Sequence, residues 1–328
     1  MICFFVYALS LQMLYEAVIM NNTTEVTQVM PFREPVKALL SMLPCLLFLY
    51  VNAVMLFALL RKPFLLESSR YILFGHLLII DTLQLLVTML LYLFAETMVR
   101  MISYVCVTVI LLSVVTYTIS PINLAVMSLE RYVAICFPLR HTDITTNRTT
   151  GIAITVMWIL ASLDSLTQFF LFISLENTGF ILQSFCARNN VFRLKIYSTV
   201  YNAFTAINFV LVSLIIIYTY IAIMIVVKSA SANVHEAMKA CKTVLLHLFQ
   251  LCLCLISTLF HMISPNKMTT INTAMAVTTR YVLFVSLIVF PKCLSPLIYG
   301  LRDDTLRYIF RYYFTFGFKV TIKPSPKS

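Results

Sequence analysis

Apolar residues fall along this chain in seven long runs, near residues 36–60, 71–93, 102–127, 151–173, 196–227, 243–263 and 274–299, joined by short polar connections. Each run is long enough for one helical crossing of a bilayer, which takes about 20 residues. The other architecture that satisfies backbone groups in lipid is a closed barrel, whose strands alternate polar and apolar positions over about 10 residues. Runs such as Leu245 to Phe260 are apolar on every face. The pattern therefore predicts an all-α integral membrane protein, a seven-transmembrane helix bundle. No repeat of span length stands out, and the one low-complexity stretch is the polar tail Lys323 to Ser328.

Composition agrees. Hydrophobic residues make up 61% of the 328 and charged residues 11%, against roughly 45 to 50% and 25% in a soluble domain. The net charge of +11 would suggest nucleic acid in a soluble protein; in a membrane protein it asks which side the basic residues occupy, and no nucleic-acid partner is expected. With the N-terminus outside, Arg61, Lys62, Arg70, Arg131, Arg140, Arg148, Lys228, Lys239, Lys242, Arg302, Arg307, Arg311, Lys319, Lys323 and Lys327 are inside, which is 15. Arg33, Lys37, Arg100, Arg188, Arg193, Lys195 and Lys267 are outside, which is 7, and Arg280 and Lys292 lie within the last span. The bias sets an outer N-terminus and a cytoplasmic C-terminus in a multi-pass protein of the plasma membrane.

The chain thus divides into an extracellular segment, residues 1–35, a seven-span domain, 36–300, and a cytoplasmic tail, 301–328. Two overlapping glycosylation sequons, at Asn21 and Asn22, lie outside, whereas that at Asn147 lies inside and should stay unused. Of nine cysteines only Cys3, Cys106 and Cys186 fall outside, so an oxidising exterior makes a Cys106–Cys186 bridge the economical reading. The apolar residues before Met20 lack the basic start and small-residue cleavage site of a signal peptide. They read as an upstream extension of a chain starting at Met20; an uncleaved hydrophobic segment and a poor signal sequence are the alternatives. In the tail, Leu306, Ile309, Phe310, Tyr313 and Phe314 recur at helical spacing with Arg307 and Arg311 between them, which predicts a short amphipathic helix on the inner leaflet.

Catalytic patterns are missing. No two of the five glycines stand close enough for a phosphate or dinucleotide loop, no GxSxG elbow occurs, and no histidines have the HExxH spacing of zinc sites. Cys252 and Cys254 lie two residues apart in mid-span and so point to different helix faces. The chain is not expected to be an enzyme or to hold a metal.

The informative residues close the third span: Met127-Ser128-Leu129-Glu130-Arg131-Tyr132-Val133-Ala134-Ile135-Cys136-Phe137-Pro138-Leu139-Arg140-His141. This run resembles the acidic-Arg-Tyr box of rhodopsin-like G-protein-coupled receptors, in the extended form of vertebrate olfactory receptors. Asn52, Leu77 to Asp81, Cys106 and Trp158 match family landmarks in spans one to four. Lys239-Ala240-Cys241-Lys242-Thr243 with His247 resembles the olfactory entry to span six, and Pro296-Leu297-Ile298-Tyr299-Gly300-Leu301-Arg302-Asp303 the exit from span seven. The box and the run Phe290 to Pro296 are most similar to the fish odorant branch.

The resemblance implies an odorant receptor in the lipid bilayer that takes a small organic ligand outside and activates a stimulatory heterotrimeric G protein inside, and hence adenylyl cyclase. It implies a coupling and activation site at Glu130, Arg131, Tyr132, Tyr220, Lys239, His247 and Tyr299, and a ligand pocket at Ser113, Tyr117, Phe204, Asn208, Thr258 and Val285. Ser113 stands where aminergic receptors carry an aspartate, so that ammonium anchor is absent. Adjacent residues do not share a helix face, so any Glu130–Arg131 pair must be loose. Asn52, Asp81, Lys292 and Ser295 form the expected buried polar core. The family has Asn or Asp where this chain has Ser295, and that group normally joins Asp81 around sodium. No cofactor is expected and the sodium site reads as lost, with the Lys292 ammonium in its place; the alternative is that Lys292 reaches into the ligand pocket and binds acidic ligands.

Two rivals stand beside this reading. One is a receptor of the same family for an endogenous ligand in non-olfactory tissue. The other is a secondary transporter, suggested by the buried charges Asp81, Asp164 and Lys292, although the internal repeats and broken helices of transporters are not seen.

Overall fold

The computed structural model describes residues 35–61, 66–96, 102–175, 186, 188–229 and single positions between 245 and 256. Five long helices fill this part: span one, Pro35–Leu60; span two, Ser69–Glu96; span three, Ser103–Cys136; span four, Asn147–Leu175; and span five, Lys195–Ser229. All five are long and apolar enough to cross a membrane. Most of spans six and seven, the tail helix, and with them Asn21, Asn22, Lys239, His247, Thr258, Val285, Lys292, Ser295 and Tyr299, lie outside the described residues.

The helices match the first five apolar runs within a few residues except at the C-terminal end of span three, which continues from the expected residue 127 to Cys136; this end is inner, and the Cys106 end outer, in the orientation expected from the basic residues. An apolar run marks where lipid ends, whereas a helix ends where its backbone is interrupted. Here the interruption is Pro138, which offers no N–H and restricts the residue before it; Phe137 leaves the helix with φ −131° and ψ 57°. At 34 residues span three is about 51 Å long, against about 30 Å of hydrocarbon. The turns bearing Glu130 to Cys136 can therefore reach the interface.

After a 3₁₀ turn at Pro138–Arg140 and one helical turn at His141–Ile144, span four starts on a reciprocal cap. The Thr149 amide donates to Thr146 Oγ1 at 3.2 Å, and the Thr146 amide to Thr149 Oγ1 at 2.9 Å. This satisfies donors that a helix start leaves open.

Span three packs against spans two, four and five. One apolar cluster joins Met55, Phe74, Leu77, Leu124, Met157 and Val212 across all five spans. A second, at the outer end, gathers Cys106, Phe172, Cys186, Phe192 and Tyr197. Spans one and two approach closely at Gly75, where a Cβ would stand 2.9 Å from Leu59 Cδ2. On span five Ile207, Val210, Leu214, Ile217, Ile221 and Ile225 form an exposed stripe at helical spacing, a face suited to lipid rather than water.

Candidate functional site

Three polar groups lie along span three, at its inner end, its middle and its outer end. At the inner end Glu130 is buried, and its two oxygens face different basic side chains. Arg131 Nε lies 3.5 Å from Oε2, and His141 Nε2 lies 3.4 Å from Oε1. The Arg131 contact is an ion pair without a hydrogen bond, as neighbours on a helix dictate. Arg131 Nε and Nη2 are buried and have no hydrogen-bond partner among the described residues. A buried donor left open costs about 1 to 3 kcal/mol. Tyr132 crosses to span five, with its hydroxyl 3.3 Å from that of Tyr218 and the rings edge to face.

In the middle, Ser120 Oγ donates to Asp81 Oδ1 at 2.6 Å, both groups being buried. Asn52 is buried, and neither atom of its amide has a partner among the described residues. One turn inward of Asp81, His76 joins spans two, three and four. The Trp158 indole donates to His76 Nε2 at 3.0 Å, and the Asn123 side-chain amide lies 2.9 Å from Nδ1. An indole N–H can only donate, so Nε2 is the acceptor and the neutral ring carries its proton on Nδ1. Turning the Asn123 amide so that Oδ1 faces the ring gives that oxygen the donor it otherwise lacks, in exchange for the long 3.4 Å bond from Nδ2 to the Leu73 carbonyl.

At the outer end Cys106 and Cys186 form a disulfide with Cα atoms 5.7 Å apart. Two residues on, Arg188 Nη2 donates to Gln168 Oε1 at 2.6 Å, and Gln168 Nε2 donates to Asp164 Oδ1 at 2.6 Å. The direction of this chain is fixed, because a guanidinium only donates, so Gln168 accepts through Oε1 and turns its Nε2 donor to Asp164. Arg188 also lies over the Tyr201 ring, 4.3 Å from its centroid, and 5.4 Å from that of Phe192. Burial lowers the Arg188 pKa from its ordinary value, while Tyr201 and Asp164 oppose the change.

Of the pocket residues expected from sequence, Ser113, Tyr117, Phe204 and Asn208 are all half-buried. Asn208 turns its amide back to the Phe204 carbonyl at 3.1 Å. Tyr220 is half-buried on span five, and the hydroxyl that meets Tyr132 belongs to Tyr218. The sequence reading gave no role to Gln168, Arg188, His141, Ser120 or Tyr218. A signal existed for the first: Gln168 lies four residues after Asp164 on an otherwise apolar helix, the spacing at which side chains meet. The Asp164 carboxylate, a support for the transporter reading, has a partner from its own helix and a cation one amide away.

Comparison with known proteins agrees with this geometry. Residues 51–299 match the model of the seven-transmembrane receptor (rhodopsin family). Odorant receptor 131-2 of Danio rerio is 33% identical over 282 residues, 84% of this chain and 85% of that protein. Olfactory receptor-like protein OLF4 of Canis lupus familiaris is 29% identical over 191 residues, 56% of this chain and 60% of its own length. Olfactory receptor 7A17 of Homo sapiens is 34% identical over 110 residues, 33% of this chain and 36% of its own. The box at the inner end of span three, the disulfide at its outer end and a family match spanning most of the chain agree, and the chain belongs to the rhodopsin family of seven-transmembrane receptors.

Proposed function

We propose that this receptor detects odorants, binding a small organic molecule in the outer half of the bundle and activating a stimulatory G protein. The observation that carries the reading is the 33% identity to an odorant receptor over 84% of the chain. Coupling to heterotrimeric G proteins is general to the family; the stimulatory subtype is our reading, as is glycosylation at Asn21 or Asn22. The half-buried residues Ser113, Tyr117, Phe204 and Asn208 mix apolar surface with a few polar groups, as small-molecule sites do. The orientation, with the N-terminus outside, is supported by the 15 to 7 bias of basic residues and by a disulfide at the end of span three opposite Arg131. Cells expressing the full chain and a cAMP reporter, screened with an odorant panel, should respond to some members with a rise in cAMP. Uptake of radiolabelled compound with no cAMP change would replace the reading with a transporter.

Within the same reading Lys292 takes the place of sodium. It lies four residues before Pro296, about one helical turn or 6 Å outward of it, where an ammonium must be paired or neutralised. Asp81 is the carboxylate expected at that depth. Lys292→Met should impair signalling, and Asp81→Asn added to it should restore part of the loss. Added sodium should leave the wild type unchanged. A double variant no better than the single, or wild-type signalling that falls with sodium, defeats the pairing.

A further inference from the structure

Asp164 and Arg188 are buried or half-buried charges to which nothing above gives a task, and the Gln168 amide links them into one polar chain. Its two ends differ in access. Asp164 and Gln168 are 3% and 0% exposed, whereas Arg188 is half-buried. The cation is therefore the accessible end of the chain, and the carboxylate, through the Gln168 amide, aims the guanidinium.

The position is also specific. Arg188 is tied to the outer end of span three through Cys186 two residues before it, and to span four through Gln168. Its guanidinium lies over the Tyr201 ring of span five. Tyr201 is hydrogen-bonded to Thr205 and lies within electrostatic reach of Tyr117. Thr205 adjoins Phe204, and Tyr117 and Phe204 belong to the proposed pocket. The guanidinium thus occupies the corner where spans three, four and five meet at the outer end.

Its chemistry selects the ligand. The guanidinium carbon lies over the Tyr201 ring and Nη2 gives one N–H to Gln168, which leaves the remaining N–H groups of the guanidinium for a ligand. Parallel N–H groups of a guanidinium match the two oxygens of a carboxylate. No opposing anchor for an amine is present at Ser113. We propose that Arg188 is the ligand-recognising cation of this receptor and that its ligands are small organic acids, bound as carboxylates. The inference rests on the odorant-receptor reading and names the ligand class of that site.

The test uses cells expressing the full chain, with surface protein measured by antibody and G-protein activation as the readout. Hexanoic and octanoic acids are compared with their methyl esters and with hexanol and octanol. The acids should be more potent than the esters by about 10- to 100-fold, the range for a hydrogen bond to a charged group. Arg188→Gln should lose that advantage for acids and leave the esters little changed. Arg188→Lys, which keeps the charge but not the fork, should retain part of it.

Esters or alcohols that match or exceed the acids in the wild type would overturn the acid proposal and leave the odorant reading standing. Surface-exposed receptor that answers neither acids nor neutral compounds would overturn both. Unaltered acid potency in Arg188→Gln at normal surface level would also overturn the proposal, assigning the polar chain to holding the outer loop in place. If Arg188→Gln fails to reach the surface, Arg188→Lys at matched surface level decides: a reduced acid-to-ester ratio supports the proposal, and an unchanged ratio overturns it.

Discussion

Replacing Cys106 or Cys186 by serine should remove the receptor from the cell surface, or leave it there without a ligand response. The bridge joins residues 80 apart in sequence, for which loop-closure entropy gives about 4 kcal/mol as an upper figure, since the membrane already restrains the loop ends. Packing adds to this. Cys106 and Cys186 are 0% and 2% exposed and sit in one cluster with Val191, Phe192 and Tyr197. A single serine would leave one hydroxyl beside a free thiol in that apolar setting, and the hydroxyl costs free energy unless it finds a partner. Losing the bridge also frees the segment that holds Arg188 against Gln168 and Tyr201, so the ligand response should fail even where some protein is exported. Flow cytometry of intact cells measures the first effect and the odorant response the second. Mass spectrometry that found both thiols free in responsive surface protein would refute the assignment.

How far the sequence could be read depends on how each feature is encoded. Spans one to five were legible because a bilayer demands long uncharged runs, and their ends shifted only where a local backbone signal, Pro138, governs instead of hydropathy. The disulfide was legible because so few cysteines fall outside. The Glu130–Arg131 contact followed from helix geometry alone, and its 3.5 Å separation has the expected looseness. The relay from Asp164 to Arg188 was not legible as a unit. Its middle member is a neutral amide, and its cation comes from a loop 20 residues further on, a separation that no periodicity reveals. The His76, Asn123 and Trp158 group joins three spans, and nothing in a single sequence ties those positions together. Tyr218 and Tyr220 are two residues apart on one helix, and only the rotation of span five decides which of them meets Tyr132.

Arg131→Ala should abolish G-protein activation while ligand binding and surface level stay close to normal. The 18 positions from Ser113 to Arg131 correspond to about 27 Å along span three, so the substitution removes nothing from the pocket. Nor does it remove a strong structural contact. The pair with Glu130 has no hydrogen bond, and two guanidinium nitrogens lack partners among the described residues. Truncating a buried group whose donors are open relieves a penalty as well as losing packing, so the net change in stability should be small. Lost with the guanidinium is a donor fork, a group suited to acceptor oxygens of a docked partner. Glu130 remains held through His141 at 3.4 Å, which keeps the inner end of span three tied to the following turn. The decisive comparison is ligand binding against G-protein activation in one membrane preparation at matched surface level. A variant that binds and signals like the wild type would show that Arg131 merely rests at the interface. A variant that loses binding and signalling together would place its role in folding rather than in coupling.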